Sequence, residues 1–178
     1  MKLPREVLST AMRVHQKYFS ITDKDNNLVS KFLFVANSIK KEDRDFRVIE
    51  GNERVLKARL SDASYFFEND IANTFENWNE KLKHVLFYES LGSLHDKIIR
   101  MANISKIFAK GFGVKSELAK QATILSKSDL VSEMVMEFPE LQGIMGGHYA
   151  KIKNKHEEVT KAIFCLLYTS DAADEHGC

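Results

Sequence analysis

An α+β fold, mainly α, is predicted by three observations: one pair of strand-like runs near the N-terminus, a switch to helical apolar spacing at about residue 43, and no return to alternation afterwards. The expected order is a short N-terminal helix, a β-hairpin and an all-helical body. Residues 4–13 suit the helix, with Pro4 at its first turn and Val7, Leu8 and Ala11 on one face. Lys17–Thr22 and Leu28–Ala36 are rich in aromatic and β-branched residues. Between them Asp23-Lys24-Asp25-Asn26-Asn27 supplies residues that tolerate left-handed backbone, which makes a hairpin. A hairpin is marginal by itself, so it is read as part of a larger sheet.

In the body, Leu56, Leu60, Ala63, Phe67 and Ile71 recur at three and four, giving one long helix from about Asn52, a good N-cap residue, to Asn73. Leu94, Ile98, Met101, Ile104 and Phe108 form a second stripe that ends at Gly111-Phe112-Gly113. Further helices are expected at 74–90, 115–127, 129–137, 139–152 and 156–164. The domain boundary is placed at the charged stretch Lys40–Asp45, giving domains 1–41 and 42–164.

Composition narrows the function classes. The chain has 178 residues, 44% hydrophobic, with a net charge of +1, which excludes wholesale disorder, collagen and coiled-coil arrays. No apolar run approaches the ~20 residues that span a bilayer, and Met1-Lys2-Leu3-Pro4-Arg5 lacks a signal-peptide core. A soluble, cytoplasmic protein without membrane partners is expected. Both cysteines, Cys165 and Cys178, fall in the last fourteen residues, so no disulfide framework or cysteine zinc site is available to the rest. That stretch, 165–178, carries three acids and no Lys or Arg, which leaves 26 basic against 22 acidic residues, or +4, for residues 1–164. Cys165 through Glu175 resembles the in-frame translation of a transposon-type sequencing adapter; 165–178 is therefore read as a non-native tail, and the natural chain as cut near Phe164.

The candidate chemistry is sparse. His95-Asp96 could chelate a divalent metal as in helical phosphohydrolases, but such a centre needs more His and Asp donors. Ser93-Leu94-His95-Asp96 after Gly92 is instead the S-x-x-D pattern of a capping box, which is preferred. His15 and His148 are isolated, His84 sits among Lys81, Leu82, Lys83 and Val85 on an expected surface helix, and His156 opens the last helix in a cap-like setting. Gly143-Ile144-Met145-Gly146-Gly147 fits no phosphate-loop or dinucleotide template, and no H-E-x-x-H or G-x-S-x-G is present. No catalytic or metal residue is assigned. Arg54 and Lys57 share a helix face at i and i+3, with Arg59 round the side. Such cations can contact phosphates, and equally can serve solubility or an Arg59–Asp62 structural pair.

Seven blocks then occur in one order: His15-Gln16-Lys17-Tyr18-Phe19, Phe34-Val35-Ala36-Asn37, Gly51 to Leu56 running into Ala58 to Ala63, Leu91-Gly92-Ser93-Leu94, Asp96-Lys97, Lys127-Ser128-Asp129-Leu130, and Glu137 to Gly146. Over residues 3–164 they are similar to an internal segment of the β subunit of bacterial heterotetrameric glycyl-tRNA synthetase. The resemblance implies that 1–41 is the C-terminal remnant of a β-rich, editing-domain-like domain and that 42–164 is a degenerate HD-like domain. Lys97 and the pair Ser126-Lys127 would stand where an active HD enzyme carries His and His-Asp, and His95 where the family tolerates Tyr or Arg. It further implies a contribution to tRNA(Gly) binding through Arg54, Lys57 (where Arg is usual) and Arg59, with an α subunit as partner. That α subunit would use ATP and Mg to make the adenylate, leaving this segment non-catalytic and without a cofactor of its own. The competing readings are an active HD-type metal phosphohydrolase and a purely structural helical module at the α/β interface.

Overall fold

The computed structural model describes residues 3–36 and 42–174, with side chains described from Phe46 to Leu166 in the second stretch. It divides into two compact units, Met1–Glu68 and Asn69–Cys178. In chain order the elements are α1 (Arg5–Thr10), β1 (Phe19–Thr22), β2 (Leu28–Leu33), α2 (Glu42–Ala72), α3 (Phe75–Lys81), β3 (Leu86–Tyr88), β4 (Gly92–Ser93), α4 (Leu94–Gly111), α5 (Ser116–Leu125), α6 (Glu133–Glu137), α7 (Ile144–Ile152) and α8 (Glu157–Asp174). The mainly α, α+β class is as the sequence predicts.

In the first unit α1 continues into a π turn, Ala11–His15, and Lys17 takes a positive φ of 57° to redirect the chain into β1. The hairpin is antiparallel, pairing Phe19 with Leu33, Ser20 with Phe32 and Thr22 with Leu28. Its turn is organised by Asp23, whose carboxylate accepts from the backbone N–H of Asp25 (3.0 Å) and of Asn27 (2.8 Å), while Asn26 adopts the left-handed φ of 62°. These bonds hold the Asp23 carboxyl below its usual pKa. One buried cluster consists of Met12, Tyr18 and Leu56, with Leu8, Phe32, Phe34 and Leu60 packed round them, and Val7, Ala11, Ala63 and Phe67 are buried as well. Tyr18 stacks on Phe32 with ring centroids 4.8 Å apart.

The long helix differs from expectation at its start. Helical backbone begins at Glu42, so Asn52 lies ten residues inside α2 and is no N-cap. Its side chain is used elsewhere: the amide nitrogen donates to the Val48 carbonyl (2.7 Å), and its oxygen accepts from the Tyr18 hydroxyl. The Gly51-Asn52 pair reads as a break in the sequence, yet hairpin packing through Tyr18 and Leu56 carries the helix across it. The expected boundary at Lys40–Asp45 lies partly outside the described residues, and from Glu42 onward the chain is already helical.

The second unit buries Phe75, Trp78, Leu82, Ile98, Met134, Phe138, Leu141, Met145, Tyr149, Val159 and Ile163. The stripe of Leu94–Phe108 forms α4 as predicted, and its end is turned by Gly113 at φ 68°. The expected helix at 74–90 is corrected: it stops at Lys81, passes through a 3₁₀ turn at Leu82–His84 and gives way to β3, which pairs with β4. Val85-Leu86-Phe87-Tyr88 is a β-branched and aromatic run, and that local preference prevails where no helical stripe competes. The helices at 129–137 and 139–152 likewise each open with a 3₁₀ turn, Ser128–Val131 and Pro139–Leu141. Among the described residues no helix is long and apolar enough to cross a membrane.

Candidate functional site

Two buried carboxylates, neither singled out by sequence reasoning, organise the second unit. Asp70, near the end of α2 and 2% exposed, accepts from the backbone N–H of Glu133 (2.9 Å) and Met134 (3.0 Å) and from the Tyr149 hydroxyl (2.6 Å). It thereby supplies α6 with acceptors for its first amides and ties α6 to α7. Burial raises the Asp70 pKa against these hydrogen bonds, and burial together with the Asp70 charge raises that of Tyr149.

Asp129, fully buried in the 3₁₀ turn, accepts through Oδ2 from the backbone N–H of Gly143 (2.6 Å) and Gly146 (2.9 Å) at the start of α7. Burial pushes its pKa up to about 6. This explains Gly143-Ile144-Met145-Gly146-Gly147. Gly143 has φ 78°; a Cβ on Gly146 would stand 3.0 Å from Asp129 Oδ2, and one on Gly147 only 2.6 Å from the Phe164 ring. The glycines make room for the Asp129 carboxylate and the Phe164 ring.

The His95-Asp96 doublet is resolved by geometry. Ser93 Oγ accepts from the Asp96 N–H (3.2 Å), and Asp96 Oδ2 accepts from the Ser93 N–H (2.8 Å), which completes the capping box expected from the sequence. These bonds, backbone first, lower the Asp96 pKa. Gly92, at φ 83°, leaves the carboxylate room; a Cβ there would lie 2.6 Å from Oδ2. His156 also behaves as a cap, with Nδ1 accepting from the Glu158 N–H (3.3 Å).

The structure brings Lys97 and Lys127 within electrostatic reach of each other. Half-buried Lys127 has its pKa lowered, first by burial, and the Lys97 charge adds to the effect while Asp129 opposes it. The Lys97 ammonium stands 3.9 Å from the Phe87 ring centroid. Ser126 is buried and donates to the Thr123 carbonyl (2.8 Å). Protonated lysines have no lone pair to offer a metal. Among the described residues no three His, Cys, Asp or Glu side chains converge on one point.

The cations of α2 are separated by their surroundings. Arg54 is largely exposed and pairs with Glu50 at 3.4 Å. Lys57 is exposed and lines a groove of about 470 Å³ with Leu8, Met12, Phe32, Leu56 and Leu60. Arg59 is half-buried, its guanidinium 3.4 Å from His15 Nδ1. Arg54 and Lys57 thus present charge to solvent, whereas Arg59 is engaged inside the first unit.

With this geometry in place, comparison with known proteins is decisive. A family model described as glycyl-tRNA synthetase beta subunit matches residues 1–176. The chain belongs to this family. Proteins named glycine–tRNA ligase beta subunit are 50% identical over 163 residues in Rickettsia bellii, 47% in Coxiella burnetii and 43% in Marinobacter nauticus, in each case over 92% of this chain. The matched segment is 24%, 23% and 23% of those relatives, so the chain spans about a quarter of the length of the curated beta subunits it matches.

Proposed function

We propose that this chain is part of the beta subunit of glycine–tRNA ligase and contributes tRNA binding and subunit architecture to the ATP-dependent attachment of glycine to its tRNA. The observation that carries the reading is the family match along residues 1–176, joined to the outward presentation of Arg54 and Lys57 one helical turn apart on α2. Adenylate formation, with ATP and Mg, falls to a separate α subunit in a cytoplasmic heterotetramer. The helical unit acts as a non-catalytic, HD-like scaffold in which Lys97, Ser126 and Lys127 replace metal ligands.

Arg54 and Lys57 suit phosphates because their charge is accessible. The Arg54–Glu50 pair is solvent-screened and exchanges readily for another anion. Arg59 favours the architectural reading, since its contact with His15 joins α2 to the π turn after α1. A combined Arg54→Ala, Lys57→Ala change in the intact synthetase is expected to weaken tRNA binding and to flatten log affinity against log salt by about one unit per lost contact. Adenylate formation without tRNA stays unchanged. An unaltered salt slope would overturn the RNA-contact assignment. Arg59→Ala is expected to lower Tm instead.

A further inference from the structure

Helix α4 is apolar on two faces, and only one of them is covered. Ile98, Ala102 and Ala109 are buried, and the helix meets α5 where the Ser105 hydroxyl oxygen accepts from Thr123 Oγ1 (3.0 Å). The stripe read from the sequence splits along its length: Ile98 is 3% exposed, whereas Ile104 and Phe108 are 53% and 61% exposed. Ile107 and Phe112 join them at 71% and 80%, and Val114 follows at 50%. Positions 104, 107, 108 and 112 share one side of the last two turns. Gly113, at φ 68°, then ends the helix, and the Val114 N–H bonds back to the Ala109 carbonyl (2.9 Å), which returns the chain against the last turn.

A helix that is apolar all round belongs in a core. Together these five side chains expose on the order of 600 Å², the upper end for the largest apolar patch on a soluble monomer. An open patch of that size marks an interaction surface.

Three observations select what covers it. The chain spans about a quarter of the length of the curated beta subunits it matches, so most of each of those subunits lies outside the matched segment. The patch falls short of the about 800 Å² per side that holds two separate proteins together, but it suits contacts between domains of one chain, which bury about 600–1,500 Å² in all. A covalent tether raises the effective concentration, so a face of this size suffices for a neighbouring domain. The third observation is charge at the edge. Lys106 is neutralised by Glu117 at 2.8 Å, whereas Lys110, one turn on from Ile107, and Lys115, next to Val114, form no ion pair among the described residues. A second copy would bring the same cations to the interface; a different domain can bring carboxylates.

We propose that the C-terminal half of α4, through Ile104, Ile107, Phe108, Phe112 and Val114, is the seat of another domain of the same beta subunit, which presents an apolar face edged by carboxylates toward Lys110 and Lys115. The inference rests on the family reading and names a contact within the subunit. It involves neither tRNA nor the α2 cations.

The test is hydroxyl-radical footprinting, read by mass spectrometry at Phe108 and Phe112, on the 178-residue chain and on the intact beta subunit that contains it, with and without the α subunit. These two side chains, 61% and 80% exposed in the chain, should be oxidised at least about fivefold more slowly in the intact beta subunit alone. Ile107→Lys should restore fast oxidation of Phe108 and lower Tm by several degrees in the intact subunit, yet leave the Tm of the 178-residue chain within about 2 °C. If that variant of the intact subunit does not fold, Ile107→Ala should show the same pattern at smaller amplitude. Equal oxidation in the chain and the intact subunit would overturn the proposal. Protection that appears only with the α subunit would overturn it in favour of that partner, and a dimeric sedimentation mass of the chain, broken by Ile107→Lys, in favour of a second copy. Glycylation of tRNA by the intact synthetase is measured alongside: its absence would overturn the functional reading, while the footprint still decides the contact.

Discussion

The two units contain apolar residues in quantity but use them differently. In the first, a small cluster around Met12, Tyr18 and Leu56 holds the hairpin, while Phe19, Leu33 and Val35 remain 58%, 59% and 84% exposed. A two-stranded ribbon has two faces, and this one is apolar on both. In the second, Trp78, Phe75, Tyr149, Phe138 and Met134 are essentially inaccessible, and two carboxylates are buried among them with backbone partners. The contrast separates two ways of specifying structure. The first unit relies on area removed from water. The second adds polar groups whose desolvation is offset only in one arrangement, and that arrangement sets the order in which short helices meet.

The largest expected effect comes from removing such a group. Asp70→Ala would strand the buried Met134 amide, the part-buried Glu133 amide and the Tyr149 hydroxyl, and is expected to cost about 3–5 kcal/mol in denaturant unfolding. Leu56→Ala in the first unit should cost about 2–3 kcal/mol, a transfer and cavity cost only. A smaller effect for Asp70 than for Leu56 would break the comparison.

Next come the glycines. Gly147→Ala forces a Cβ to 2.6 Å from the Phe164 ring and is expected to cost about 1–3 kcal/mol, whereas Gly51→Ala, inside α2 with nothing within 4 Å, should gain up to about 1 kcal/mol. Paired melting curves decide the sign at each site.

Acidity separates the units again. Asp129 has its folded pKa raised from 3.8 to about 6, so between those values the native state holds the proton more tightly than the unfolded chain does. Stability from this group is therefore present at the acid side and is lost as pH rises through about 6. Asp129→Asn should flatten that slope, as read from unfolding free energy against pH; an unchanged slope would assign the titration to another group.

The smallest effect expected is at the α4 cap. Ser93→Ala should cost about 1 kcal/mol, and His95→Ala almost nothing, by thermal unfolding. A metal-dependent loss with His95→Ala would reverse the capping assignment.

What was legible in the sequence was whatever repeats. The α4 stripe, the hairpin with its Asp23–Asn27 turn and the S-x-x-D cap are local patterns, and each appears where it was read. Asn52 misled because a helix start is judged from neighbours in the chain, while its role is set by Tyr18, thirty-four residues away. Asp70 and Asp129 were missed for the same reason: an isolated acid on a helix or turn looks solvated, and only tertiary contact shows it to be buried. The β3 run was readable from Val85 to Tyr88, but it sits between two strong helical segments.

Trp78 is the sole tryptophan of the chain, wholly buried between the rings of Phe75 and Tyr149, with centroids at 5.4 and 5.1 Å. Its emission is therefore a private optical channel on the second unit: blue and intense while that core is dry, shifting to the red when it opens. Loss of the hairpin would pass unseen in that channel and register in far-ultraviolet circular dichroism alone. Any lag between the two signals on heating would time the dissolution of one half of the molecule against the other.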